Sequence, residues 1–328
     1  MAQEAVPHET PEQIQHELDD AETQYKHALE MFNPWYAGPL LTGSASMMPP
    51  GMANIQPYLF VTDNFAVYDK ARNVVNVPDL WNINPQFIIQ TGITSWCDIA
   101  ATVQTTTNSR HSSQSTFFGD STISLGFQLL KQGLWVPGVK LGINETFPTG
   151  RYQNLKASRN GTDSTGGGSY VTGIALKFGK LVFWSYKHPM NLRLTMTYNV
   201  PTTVHVHGLN SYGGGIGTNG KVRPGNNFNA SLGIEYSFTQ RWVLANDLVY
   251  QVGARTKFNG KLGTNPDGTP AAVGGNSNDQ LSIAPAIEYN PTPNLGILGG
   301  AWVTVYGRNA SDFVSGIISV TYTFNIVD

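Results

Sequence analysis

The chain has 328 residues, of which 13% are charged and 11% aromatic, with 35 glycines and a formal net charge of −2. Low charge with abundant Gly and aromatics suits short-turned all-β structure and argues against an ordinary soluble enzyme. No run approaches about 18 apolar residues, so a transmembrane helix is excluded, and the chain can cross a bilayer only as a closed barrel.

Charge is unevenly spread. Residues 1–31 hold eight acids (Glu4, Glu9, Glu12, Glu17, Asp19, Asp20, Glu22, Glu30) against Lys26, a net of −7, and the remainder is +5. The start, Met-Ala-Gln-Glu-Ala, lacks a basic and an apolar signal region, and we read it as a mature protein carrying an added initiator Met. The single cysteine, Cys97, rules out an internal disulfide.

The first element in chain order is a helix over 10–32, within an acidic segment 1–34. Thr10 can cap it, Pro11 suits its first position and Gln13 completes a capping box. Ile14, Leu18, Ala21, Tyr25, Ala28 and Phe32 form a heptad stripe, and Asn33-Pro34 ends the helix. Three placements fit: a coiled coil that makes a homo-oligomer, a plug drawn into a basic lumen, or a segment that lies on the periplasmic rim or is largely disordered. A Pro-, Gly- and Met-rich tether, 35–52, follows.

From 53 to 325 the sequence alternates as twelve strands, the pattern of an antiparallel transmembrane β-barrel of the outer-membrane type. Leu192, Leu194, Met196, Tyr198 and Val200 oppose Arg193, Thr195, Thr197 and Asn199. Segments 228–238, 281–289 and 314–324 repeat this. Short connections (92–95, 132–133, 188–190, 239–240, 291–293) take turns with long ones (about 70–76, 107–115, 149–169, 208–222, 259–278, 307–310). That asymmetry puts both termini in the periplasm and the long loops outside the cell.

A soluble sandwich also alternates. The membrane is favoured by aromatics near strand ends (Trp184, Tyr186, Tyr198, Tyr236, Phe238, Trp242, Tyr250, Tyr289, Tyr322, Phe324) and by a small, polar opposite face. Two regions resist. A strict register turns Lys180 to lipid, at about 2–4 kcal/mol if at the midplane, unless Gly179 forms a bulge. Segment 295–306 is apolar on both faces.

By parity Asp98, Lys140, Lys177, Arg193, Glu235, Asp247 and Glu288 point inward and line the pore. Asp98, Arg193, Glu235 and Glu288 fall low, toward the short turns, with Lys140 and Asp247 near mid-height, and Arg193 can pair with Glu235 across strands. The set is either a mixed-charge constriction that selects solutes or a salt-bridge network that shuts a narrow barrel. Barrels of about eight strands are filled by side chains and those of about 16–18 are open, so twelve is intermediate. Arg110, Arg151, Lys156, Arg159, Lys221, Arg223, Lys261 and Arg308 make the long loops basic, suited to drawing anions inward, to binding lipopolysaccharide phosphates or simply to solvation.

Chemistry is sparse. His205-Val206-His207 places two imidazoles on one face without a third ligand, so no metal or other cofactor is expected. His188 and His111 lack a partner acid or hydroxyl. The Gly runs at 166–168 and 213–217 have no following helix and are not phosphate loops. No catalytic residue and no nucleic-acid partner is expected.

Several motifs point to one family. "FFGDSTISLGFQLL" (117–130), "PGVKLGINETFPTG" (137–150) and "NASLGIEYSFTQRWVLANDLVYQ" (229–251), with the closing "SVTYTF" (319–324), resemble the outer-membrane proteins named after the meta-pathway of phenol degradation. The resemblance spans roughly 95–325 and implies an outer-membrane barrel that transports small, aromatic compounds. The acidic helix and "NPWYAGPLL" (33–41) are extra to it. The leading reading is a channel or porin for small solutes among outer-membrane lipid and lipopolysaccharide. The alternatives are a surface-exposed structural or adhesive barrel, closed by its lumen network or helix, and a soluble β-sandwich lectin.

Overall fold

In the computed structural model, which describes residues 10–185 and 187–326, the strands curl until the first meets the last. Tyr186, Glu4 and Glu9, used in the sequence reading, lie outside the described residues. The helix α1 runs Pro11–Met31, and Thr10 and Gln13 exchange both hydrogen bonds of the capping box. The strands are β1 (Met52–Tyr68), β2 (Val74–Thr94), β3 (Cys97–Arg110), β4 (Ser113–Phe118), β5 (Ser121–Leu130), β6 (Gly138–Phe147), β7 (Val171–Val182) and β8 (Met190–Pro201). They continue as β9 (Val204–His207), β10 (Asn219–Arg223), β11 (Asn227–Ser237), β12 (Trp242–Gly253), β13 (Lys257–Lys261), β14 (Asn278–Thr292), β15 (Leu295–Arg308) and β16 (Ala310–Asn325).

Twelve of these spans form the barrel. β4 and β5 are one span broken at Gly119-Asp120, since both pair with β3. Every pairing is antiparallel, and β1 closes the ring on β16 over Met52↔Asn325 to Tyr68↔Ala310. Closure leaves no edge strand, the requirement for a sheet in hydrocarbon. No described helix is long and apolar enough to cross a membrane.

Alternation sorts the two faces. On β12, Trp242, Leu244, Leu248 and Tyr250 are 40–48% exposed on the outer surface, while Val243, Ala245, Asp247 and Val249 are buried within. β16 repeats this with Val314, Ile318 and Tyr322 outside and Ser315, Ile317 and Ser319 inside. Stacked or tilted aromatic pairs ring the short-turn end: Trp96–Phe127, Trp242–Tyr289 and Tyr322–Phe324.

Three details differ from the sequence reading. The turns after β5 and β7 cover 131–137 and 183–189, longer than expected; Leu134 and Trp135 are 79% and 89% exposed, not strand residues. No bulge forms at Gly179, because Gly179↔Arg193 and Lys180↔Leu192 continue the register. Lys180 instead donates to the carbonyls of Gly133 and Leu134 at 2.6 and 2.7 Å, near the turn end where water is close. Segment 295–306 resolves with Leu298 fully buried inside and Ile297 and Val305 outside.

The long connections build a second sheet. β10 pairs with β9 on one side and β13 on the other. Val204, Val206 and Val222 bury one face of it against Tyr152, Tyr212, Phe258 and Val273.

Candidate functional site

The lumen holds part of the chain itself. Residues 35–50, between α1 and β1, enter at the short-turn end, cross the bore and return to it, forming an inner strap. Trp35 N–H donates to the Gln240 carbonyl, and Asn290 donates to the Trp35 carbonyl at 3.1 Å. Ser237 donates to the Tyr36 hydroxyl at 2.7 Å, and that hydroxyl donates to the Pro189 carbonyl. Ala37 N–H donates to Glu288 Oε1. Leu41 and Thr42 N–H groups donate to the two oxygens of Asp247 at 3.1 and 3.0 Å, and the Thr42 hydroxyl adds a third bond.

Beyond Thr42 the strap swings to the opposite wall. Thr195 donates to the Gly43 carbonyl and Gln128 to the Ala45 carbonyl, both at 3.3 Å. Lys140 Nζ reaches the Ser46 carbonyl at 3.4 Å, and Met48 N–H donates to Asp98 at 3.2 Å. A Pro-, Gly-rich segment has no strand ladder to satisfy its amides, so wall carboxylates and carbonyl-seeking side chains do so instead.

This accounts for most of the inward charges. Asp98 and Lys140 form a buried ion pair at 2.6 Å, and Gln90 donates to the same carboxylate at 2.7 Å. Arg193 pairs with Glu235 at 2.7 Å, with Asn191 donating to Glu235 at the same distance. Lys140 sits low, beside Asp98, because β6 starts only at Gly138; the mid-height assignment placed the turn four residues too early. Asp247 lies five residues into β12, as far from the short turns as Thr195 on β8. Lys177 faces the bore beside Gly43 and makes no hydrogen bond or ion pair among the described residues.

The wall is shaped for the strap. Leu40 packs into Ala245, Ala284, Ala286, Leu298 and Ile317, all buried. A Cβ at Gly296 would overlap Ala37, and one at Gly233 would come within 2.7 Å of Pro39. Small residues there make the space that Ala37–Leu41 fills. Along the other wall a cavity of about 540 Å³ remains, lined by Gln56, Gln86, Gln90, Thr102, Asn144 and Lys177 among others.

The opposite mouth is narrowed by the connection 148–170. Buried Asn108, on the inner face of β3, donates to the carbonyls of Thr162 and Ser164 at 3.1 and 3.0 Å. Asp120, at the β4–β5 break, accepts from Gly150 and Gly167 N–H groups and folds that connection inward. In the exposed turns, N–H and side-chain donors of Asn73 hold the Asp69 carboxyl below the usual range, and Thr269 does the same for Asp267.

The stripe of α1 lies outside the bore. Ile14, Leu18, Tyr25 and Phe32 are 45–65% exposed, and Ala21 and Ala28 are not buried either. The helix therefore lies outside the bore, and the tether is the segment that enters it. The end of the helix is docked: Met31 is fully buried and Phe32 packs on Phe183, ring centres 5.7 Å apart. The strap residues were missed by the sequence reading; the one trace of them is the apolar Trp-Tyr-Ala-Gly-Pro-Leu-Leu run between helix and first strand. His205 and His207 lie side by side, exposed, on β9, and no group of three metal-ligating side chains occurs among the described residues.

No protein-family model and no curated relative matches the chain, so the phenol-pathway family is a resemblance of motifs alone. Solved structures do match. An outer membrane channel from Pseudomonas putida F1 is 12% identical, covers 86% of this chain and 98% of its own, and superposes with a TM-score of 0.65. The translocator domain of the autotransporter NalP from Neisseria meningitidis is also 12% identical, covers 94% and 98%, and has a TM-score of 0.44. A variant of the TodX monoaromatic hydrocarbon channel is 11% identical, covers 84% and 91%, and has a TM-score of 0.41. The fold is thus that of the closed, twelve-stranded outer-membrane barrel.

Proposed function

We propose that the protein is an outer-membrane channel for small polar solutes, with the short turns and both termini in the periplasm and the long loops outside. The observation that carries this is the cavity of about 540 Å³ that stays open beside the strap, where Gln56, Gln86, Gln90, Thr102, Asn144 and Lys177 line the wall together with apolar Tyr58, Phe60 and Ile88. A solute would pass between the strap and the inner faces of β1, β2, β3, β5 and β6. Asp98, Lys140, Lys177 and Arg193 border that path, Arg193 paired with Glu235, while Asp247 and Glu288 hold the strap. With Asp98 neutralised by Lys140, the uncompensated Lys177 favours anions. The likeness to the Pseudomonas channel supports the reading at the level of fold. Planar-bilayer recording tests it: steps of conductance with an anion preference are expected, and silence from both the full chain and a chain lacking residues 35–48 rejects it.

One observation favours a closed structural barrel. The strap and the 148–170 connection narrow the lumen from both ends. Silence of the full chain with conductance once the strap is removed assigns the protein to a barrel closed at rest. The exposed stripe of α1 remains suited to self-association, and light scattering of detergent-solubilised protein with and without residues 1–31 decides that point.

A further inference from the structure

The small outer sheet has two unlike faces. One packs on valines and aromatics as described above. The other presents Lys221 and Arg223 from β10, Lys257 and Lys261 from β13, and His205 and His207 from β9, all exposed. None of the four permanent cations makes an ion pair or hydrogen bond among the described residues. Segments 202–226 and 254–277 supply one acid, Asp267, whose carboxylate is taken up by Thr269 N–H and hydroxyl.

Register sharpens the point. Arg223 lies directly opposite Lys257, and Lys221 lies opposite His205. Like charges facing one another across strands are destabilising, and an ordinary solvated sheet intersperses acids to avoid it. A face that gathers cations at a cost to its own folding is complementary to a multiply charged anion.

The direction of the array selects the kind of anion. Arg223 and Lys257 lie nearest the barrel rim, because 224–226 and 254–256 join them to β11 and β12. Lys261 is at the far end of β13, about 13 Å away at about 3.3 Å per residue. Lipid phosphates lie in one plane at the rim and would meet only the near pair. A chain rising from the surface meets all four cations.

We propose that this face binds a polyanionic glycan, a linear saccharide bearing carboxylate or sulfate groups. The test uses the full chain in detergent, titrated with size-defined heparin oligosaccharide and separately with lipid A micelles. Wild type should bind heparin with an affinity that falls steeply as salt rises. Replacing Lys221, Arg223, Lys257 and Lys261 together by Gln should weaken binding at least about tenfold. Lys→Arg at 221, 257 and 261 should retain it. Heat-modifiable gel mobility verifies that each barrel is folded; if the fourfold variant is not, Lys261→Glu, farthest from the rim, must still weaken binding. No heparin binding by wild type, or equal binding by the folded variants, overturns the proposal. Binding to lipid A but not to heparin also overturns it and assigns the face to headgroup phosphates.

Discussion

Between β12 and β16 the inner wall offers Ala245, Ala284, Ala286, Leu298 and Ile317 to the strap, and Leu40 fills what they leave. Between β1 and β6 it offers Gln56, Gln86, Gln90, Thr102 and Asn144 to open space, with Tyr58, Phe60 and Ile88 among them. The same barrel thus carries a dry half and a wet half. Apolar contact expels water and depends on shape, so the dry half can seat one segment in one position. Amide and hydroxyl walls hydrogen-bond among themselves, as Asn84 does with Thr106 and Gln86 does with Asn84, and still accept water or solute. The difference separates holding from passing.

Four perturbations test that division, taken from the largest expected effect downward. Replacing residues 36–48 by a Gly/Ser linker should empty the dry half and raise single-channel conductance several-fold in planar bilayers; unchanged conductance would mean the strap does not restrict the path. Lys140→Met strands the buried Asp98 carboxylate and should cost about 3–5 kcal/mol in urea unfolding followed by gel mobility. Leu298→Ala opens a void under Leu40 and should cost about 2–5 kcal/mol, with flickering of the current as the strap loosens. Lys177→Gln, in the wet half, should leave stability within about 1 kcal/mol of wild type while lowering anion over cation permeability, read from reversal potentials. If Lys177→Gln instead destabilised the barrel as Leu298→Ala does, the two halves would not differ in kind.

The barrel was legible because each spanning strand has one face in lipid and one in the bore, so period-2 alternation survives even where neither face is uniform. It failed where apolar residues sit at the membrane boundary rather than across it. Leu134 and Trp135 extend the apolar pattern of β5 and β6 but belong to the turn between them. The strap was illegible for a different reason. Its partners are one or two residues on each of seven strands, Asp98 on β3, Gln128 on β5, Lys140 on β6, Thr195 on β8, Ser237 on β11, Asp247 on β12 and Glu288 and Asn290 on β14, and no spacing within 33–52 encodes them. The outer sheet was illegible because β10 and β13 are separated by the whole β11–β12 hairpin and are only five residues long each, too short for alternation to stand out.

The strap is joined covalently to the barrel through β1, and at its other end Trp35 is docked by a hydrogen bond on the turn after β11. A detached strap therefore cannot diffuse away. It stays confined to a volume of its own dimensions, at an effective concentration in about the millimolar range for a short flexible connection. Weak individual contacts suffice at that concentration, closure is independent of how much protein is present, and recapture outruns any soluble competitor that is scarcer than the strap is to itself.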